Sequence, residues 1–217
     1  VGVVSVLYGA FVALAQTDLK RMIAYTSVNH MGYIVLALGA VGVLAEGAAQ
    51  ARSVAVTGAV VQMVSHGLIT AALFLLAGVM QDRAGSYDMG SYGGLAAPAP
   101  RYAALFAVGA FASLGLPGFS GFIAEFQIFA GSVAVAPVTA VALVGILVTA
   151  ALFLRALQRV FTGPAAGHTP GFEDLRAPEL WSAGPLLGLS LLIGVLPRVL
   201  LEVIEPASAA LVGLVGR

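Results

Sequence analysis

Three ionisable side chains stand deep within apolar stretches of this sequence: Glu125, His30 and His66. Glu125 lies between Ala124 and Phe126, with no Asp, Glu, Lys or Arg within twenty residues on either side. A carboxyl group in such surroundings is expensive to keep in lipid and marks a functional residue by default. Just before it the apolar run is interrupted by Leu114-Gly115-Leu116-Pro117-Gly118-Phe119-Ser120-Gly121. Pro117 removes an amide donor and clashes with the preceding turn. Gly115, Gly118 and Gly121 loosen the backbone around it. Broken membrane helices with a titratable group beside the break are how several transporters build a mid-membrane ion site. The chemistry these residues predict is movement of protons or cations.

The histidines extend that prediction. His30 lies ten residues beyond Lys20, about 15 Å along a helix, which is half of a hydrocarbon core about 30 Å thick. His66 is almost central in its own apolar run. Three titratable groups at one depth on three helices predict a row in the membrane plane, which suits a lateral proton relay. Thr26, His30 and Tyr33 follow four-then-three spacing and share a stripe, with Tyr25 and Asn29 beside it. Gln62, His66 and Thr70 are four apart, and Ser65 adjoins them. Such stripes can hold ordered water, and imidazole, with an unperturbed pKa of about 6.5, is suited to passing protons. A structural reading stands beside this one. A lone intramembrane histidine is often a hydrogen-bonded packing residue, and polar side chains also hold helices together. Lys20 and Arg21, at a helix end, read as snorkelling anchors, with Lys20 also a candidate for the end of the relay. Arg155 and Arg159 read as anchors too, and Tyr102 and Trp181 as an interfacial aromatic belt.

The elements that must position these groups are membrane helices. The chain is 60% hydrophobic and 9% charged, with a mean hydropathy of +1.01, against about 25% charge in soluble domains. Apolar runs fall at about 1–16, 21–44, 54–80, 101–131, 137–162 and 180–204. Six spans, one of them broken at Leu114–Gly121, predict an all-α membrane protein with a single membrane domain over 1–217. The connections carry most of the charge: Asp18 to Arg21, Glu46 to Arg52, Asp82 to Pro100 and Gly163 to Pro178. Lys20, Arg21, Arg83, Arg101, Arg155, Arg159 and Arg176 gather on one side, and Arg52, Arg198 and Arg217 on the other. The richer side is expected to be cytoplasmic. The opening VGVVSVLYGA has neither Met nor a basic stretch and reads as the middle of a helix, so upstream residues are expected. The tail from Glu205 reads as an interfacial helix too short to span.

Several functions are excluded. Ten basic and ten acidic residues balance, which leaves no case for a nucleic-acid partner. There is no cysteine, so disulfides, thiolate metal sites and iron–sulfur ligation are ruled out. The glycine-bearing segments 82–100 and 163–178 lack phosphate-binding spacing and read as surface connections, with His168 solvated in the second.

Three segments also resemble a known family: TDLKRMIAYTSVNHMGYIVLALG (17–39), GAVVQMVSHGLITAALFLLAGVMQDR (58–83), and GGLAAPAP followed by FASLGLPGFSGFIAEF (93–126). In order and spacing they are similar to the antiporter-like, proton-pumping subunits of respiratory complex I, from about residue 10 to 162. The resemblance implies fourteen helices in two inverted five-helix repeats, each with a broken helix, of which this chain looks like the last six. It maps His30 and His66 onto the family's central polar axis and Glu125 onto the ionisable residue after the second break. A glutamate there, in GFIAEF, looks like the chain 4 (M) type, where the chain 2 (N) and chain 5 (L) types usually carry lysine. Ala124 and Asn29 depart from the more common Gly and Ser. The family's central Glu on its fifth helix and lysines on its seventh and eighth would lie before Val1.

The function this implies is proton translocation as a non-redox subunit of NADH:quinone oxidoreductase. The implied relay comprises Glu125, His30, His66 and Lys20, supported by Thr26, Asn29, Gln62, Ser65 and Thr70, with Gly115, Pro117, Gly118 and Gly121 forming the break. No cofactor or metal is expected in this chain, while NADH, FMN, iron–sulfur clusters and quinone are expected in partner subunits. Expected partners are the chain 2 (N) and chain 5 (L) type paralogues and the lipid bilayer, in a bacterial inner membrane. Alternatives are a subunit of an Mrp-type cation/proton antiporter or membrane hydrogenase, and a non-conducting structural fragment.

Overall fold

The computed structural model describes residues 1–43 and 47–215. Leu44, Glu46 and Arg217, named above at a span end, in a connection and in the charge comparison, lie outside the described residues. The helices run α1 Gly2–Ala15, α2 Leu19–Val41, α3 Ala49–Ala84, α4 Pro100–Ser113, α5 Ser120–Val135, α6 Leu143–Phe161, α7 Ala177–Val195 and α8 Arg198–Val215. A 3-10 turn, Pro137–Ala142, leads into α6. Two short strands, β1 Tyr92–Gly93 and β2 Ala166–Gly167, pair antiparallel. Among the described residues, three helical stretches are long and apolar enough to cross a membrane: α3, Pro137–Phe161 and α7. The chain is an all-α membrane protein, and α1 and α5 are shorter apolar helices.

α3 is the axis. Its 36 residues extend about 54 Å, well beyond a hydrocarbon core of about 30 Å, and α2, α5, α7 and α8 pack around it. α4 and α5 form the broken helix that lies beside it. A Cβ on Gly58 would stand 2.6 Å from the Ile128 amide nitrogen, and one on Gly131 would be 2.5 Å from that of Ala55. The backbones of α3 and α5 therefore touch through small residues, the packing available to helices that gain nothing from hydrophobic exclusion in lipid. α1 meets α2 in the same way, with Gly9 against the Asn29 backbone. At the break, the amides of Leu114, Gly115, Leu116 and Phe119 bond to the carbonyls of Ala110, Ala112, Phe111 and Leu116. Irregular backbone at this depth is tolerated because its polar groups are satisfied within protein.

The two long connections differ from the sequence expectation. They are not simple surface links: Met89, Tyr92, Leu95, Thr169, Phe172 and Leu175 are buried, and β1 pairs with β2 across them. His168 is exposed and lies against the Tyr92 ring. The Asp174 carboxylate accepts from the Arg101 and Tyr102 amides at 3.1 and 2.9 Å, which caps α4 from a distant segment. Arg83 donates twice to Glu179, at 2.9 and 2.7 Å, and to the Asp174 carbonyl at 3.0 Å. Tyr102 is not in an aromatic belt. It is fully buried and donates to the Leu76 carbonyl at 3.0 Å, because α4 turns that face onto α3. Trp181 is exposed, as a belt residue would be.

The final span also differs. α7 ends at Val195, not near residue 204, and a separate helix, α8, begins at Arg198 and continues through Pro206. Pro197 cannot extend α7, since its ring clashes with the preceding turn. A Cβ on Gly194 would fall 2.4 Å from the Gly118 carbonyl carbon, so the end of α7 abuts the α4–α5 break. α8 then continues antiparallel along α3, with Ile204 near Val61 and Val212 near Val41 and Val56.

Candidate functional site

The polar residues of α2, α3 and α5 meet beside the break. His30 on α2 is buried, and its Nδ1 lies 3.3 Å from Nδ1 of His66 on α3. The rings meet edge to face, with centroids 5.3 Å apart. Thr70 Oγ1, one turn along α3, is 3.1 Å from the same His66 nitrogen. A hydrogen bond between two imidazole nitrogens requires one to carry a proton and the other to be bare. One proton then lies between the two Nδ1 atoms, bridging α2 and α3.

His30, His66 and Glu125 line one cavity together with Gln62, Ser65 and Thr70. Its volume is about 10 Å³, room for about one water molecule. Ser113, at the last turn of α4, also lines it. Among the described residues, His30 Nε2, Gln62 Oε1 and Ser113 Oγ are buried without a protein partner, which makes the cavity a polar site able to bind water.

Glu125 sits on the second turn of α5, 6% exposed. It also borders a larger apolar groove of about 320 Å³ walled by Phe122, Phe126, Phe129, Leu143 and Ile146. The carboxyl thus stands at the wall between a polar pocket and an apolar one. Gly115 sets its position. That residue has φ +72°, and a Cβ there would lie 2.5 Å from Glu125 Oε2. Only glycine satisfies both the backbone angle and the space. At Gly121 a Cβ would meet the Ala112 carbonyl at 2.6 Å, so this glycine lets α5 start against α4. At Gly118, with φ +105°, an added Cβ would meet nothing within 4 Å, and Pro117 is exposed at the turn.

Other sequence candidates lie elsewhere. Lys20 is exposed at the membrane end, its ammonium 5.1 Å from the Tyr87 ring centroid. Thr26 is buried but bonds to the Ile23 carbonyl of its own helix at 2.7 Å. Asn29 turns away from the cavity, donating to the Val6 carbonyl on α1 at 2.8 Å and accepting from Thr149 on α6 at 3.4 Å. Arg155 donates to the Leu14 carbonyl at 2.8 Å. Three serines complete the surroundings: Ser65 Oγ is 2.8 Å from Ser120 Oγ, which is 2.8 Å from Ser190 Oγ. This chain of hydroxyls ties α3, α5 and α7 together at the break. Ser120 and Ser190 carry no sequence signal, because a lone serine in an apolar run has no distinguishing period.

These helices match known proteins closely. The family described as NADH:quinone oxidoreductase/Mrp antiporter, TM, matches residues 1–153. F(420)H(2) dehydrogenase subunit M of Methanosarcina mazei is 40% identical over 214 residues, covering 98% of this chain and 41% of that protein. NADH-quinone oxidoreductase subunit M of Mycobacterium tuberculosis is 39% identical over 206 residues, covering 94% of this chain and 35% of that protein. A chain of respiratory complex I from Thermus thermophilus superposes with a TM-score of 0.89 at 33% identity, covering all of this chain and 44% of that one. A chain of the archaeal membrane-bound sulfane sulfur reductase shares the fold, at a TM-score of 0.78 and 24% identity, over 89% of this chain and 31% of that one. The chain spans less than half the length of these relatives. Because the family match runs unbroken through the helices that bring His30, His66 and Glu125 together, the chain belongs to the membrane subunits of the NADH:quinone oxidoreductase/Mrp antiporter family.

Proposed function

We propose that this chain is the C-terminal part of an antiporter-like subunit, of the chain 4 (M) type, that translocates protons in a NADH:quinone oxidoreductase-type complex. It would form the second half of an inverted-repeat fold. One observation carries the reading: titratable side chains from α2, α3 and α5 line a single polar cavity beside a helix break. The two imidazoles pass a proton by accepting at one ring nitrogen and releasing at another. A water in the cavity carries it between His66 and Glu125. Charge on the imidazoles and charge on the carboxyl share one wall, so each alters the proton affinity of the other. Lys20 lies outside the cavity and contributes a field at the membrane end. NADH, FMN, iron–sulfur clusters and quinone belong to partner subunits in this reading, with chain 2 (N) and chain 5 (L) type paralogues as membrane neighbours in a bacterial inner membrane.

The decisive variant is Glu125→Gln in the assembled complex, which preserves shape and removes the titrating group. Proton pumping per electron is expected to fall while electron transfer and assembly persist. Unchanged stoichiometry would sink the reading. The family description also covers Mrp antiporters. Transport in vesicles that required sodium and persisted without electron transfer would favour that second reading.

A further inference from the structure

At the opposite end of α3 from the Arg83–Glu179 pair lies a cation that the relay does not use. The sequence places Arg52 in a connection, but the structure places it in the first turn of α3, 5% exposed. Among the described residues its Nε and Nη2 are buried without a hydrogen-bond partner. Burying a guanidinium with unmet donors is costly, so the site as built calls for an anion. Arg52 borders a cavity of about 440 Å³ whose walls include Gly47, Gln50 and Ser53 on one side and Ala209 and Gly213 of α8 on the other. Ala48, at the N-cap of α3, supplies no side-chain cap, so the amides and positive dipole end of α3 face the same region.

Depth identifies the class of anion. Arg52 lies fourteen residues before His66 on one helix, about 21 Å along its axis. With His66 near mid-membrane, the hydrocarbon ends about 15 Å away and the headgroup layer about 20–22 Å away. Arg52 is therefore level with lipid phosphates. Beyond the cavity α8 presents Val199, Val203, Leu211 and Leu214 outward, an apolar surface along which acyl chains can lie. The adjoining cavity of about 260 Å³ shares Gln50, Ser53 and Ala209 and reaches Glu205, while Glu205 does not line the Arg52 cavity itself.

We propose that the cleft between the first turn of α3 and α8 binds the phosphate of a phospholipid headgroup through Arg52. The planar fork of the guanidinium matches two phosphate oxygens, and Ser53 and Gln50 stand beside it as further donors. A bound lipid would pin α8 to α3 at the membrane surface.

The test uses the assembled complex carrying the full-length subunit, stripped of lipid in detergent and then titrated with phosphatidylglycerol in mixed micelles. Bound lipids are counted by native mass spectrometry. The wild type is expected to hold one more phospholipid than Arg52→Gln, whose half-saturating lipid concentration rises about tenfold or more, as loss of a charge-assisted hydrogen bond implies. Arg52→Gln also removes a packing side chain, so a second variant enters from the other wall. Gly213→Phe has open space for its Cβ and fills the cleft with Arg52 intact, and it is expected to lose the same lipid. Equal lipid retention by wild type and both variants overturns the proposal. So does thermal stabilisation by inorganic phosphate alone that equals that by lipid, since the site would then serve a soluble anion.

Discussion

The position of the Glu125 carboxyl can be moved without touching the carboxyl. Replacing Gly115 with Ala places a Cβ 2.5 Å from Oε2, about 0.9 Å closer than the 3.4 Å at which ordinary contact begins. Either the carboxyl or the break must shift by nearly that amount. The same substitution forces an alanine into φ +72°, which costs about 1–2 kcal/mol. Gly118→Ala separates the two effects. It imposes a positive φ of +105° but meets nothing within 4 Å, so it carries backbone strain without displacing Glu125. A misplacement of about 1 Å at a reacting group can cost about a hundredfold in rate, and a tenfold loss would suffice here. Gly115→Ala is expected to lower proton pumping per electron at least about tenfold, with Gly118→Ala close to wild type at similar stability. Both are measured in proteoliposomes with a pH-sensitive dye, alongside electron transfer in the same preparation. Equal pumping by the two variants, with the complex assembled, refutes the idea that Gly115 positions the carboxyl for transfer.

Other outcomes follow from the same geometry. His30→Ala and His66→Ala are expected to reduce pumping less than Glu125→Gln, because water can occupy the space of a lost imidazole. An equal or greater loss contradicts that ranking. Ser120→Ala breaks both links of the hydroxyl chain to Ser65 and Ser190 and leaves buried groups unmet, at a cost of about 1–3 kcal/mol, readable as a lower unfolding midpoint in detergent. Asp174→Ala removes the distant cap of α4, at a cost of about 0.5–2 kcal/mol. Burial alone would raise the pKa of Asp174, but the backbone donors of Tyr102, Leu175 and Arg101 outweigh it and hold the pKa below the usual value. A depressed carboxylate contributes its stability above the unfolded pKa of about 3.9 and loses it as pH falls through the folded value. The gap in unfolding midpoint between wild type and Asp174→Ala is therefore expected to stay constant from about pH 5 to 8 and to shrink only below about pH 4. A gap that closes near neutrality contradicts this account.

What the sequence determined by itself is whatever depends on neighbours along the chain. Runs of apolar residues demand helices in lipid, since no other structure satisfies the backbone there. Pro117 between Gly115 and Gly118 demands a break, and the sequence sets an isolated carboxyl, Glu125, just after it. Those effects are local. The tertiary structure decided everything that depends on how each helix is rotated about its own axis. The polar stripe of Thr26, His30 and Tyr33, with Asn29 beside it, shows which side chains are neighbours along the helix but not which helix each one faces. Only packing sends Asn29 to α1 and His30 to His66. The same holds for Tyr102, drawn into the core by α4, and for Asp174, whose amide partners lie about seventy residues away. Arg52 is the clearest case. As a letter it is one more charge near a helix end, and it is buried beside the cleft that α8, following Pro197, forms with α3, where among the described residues two of its donors have no partner.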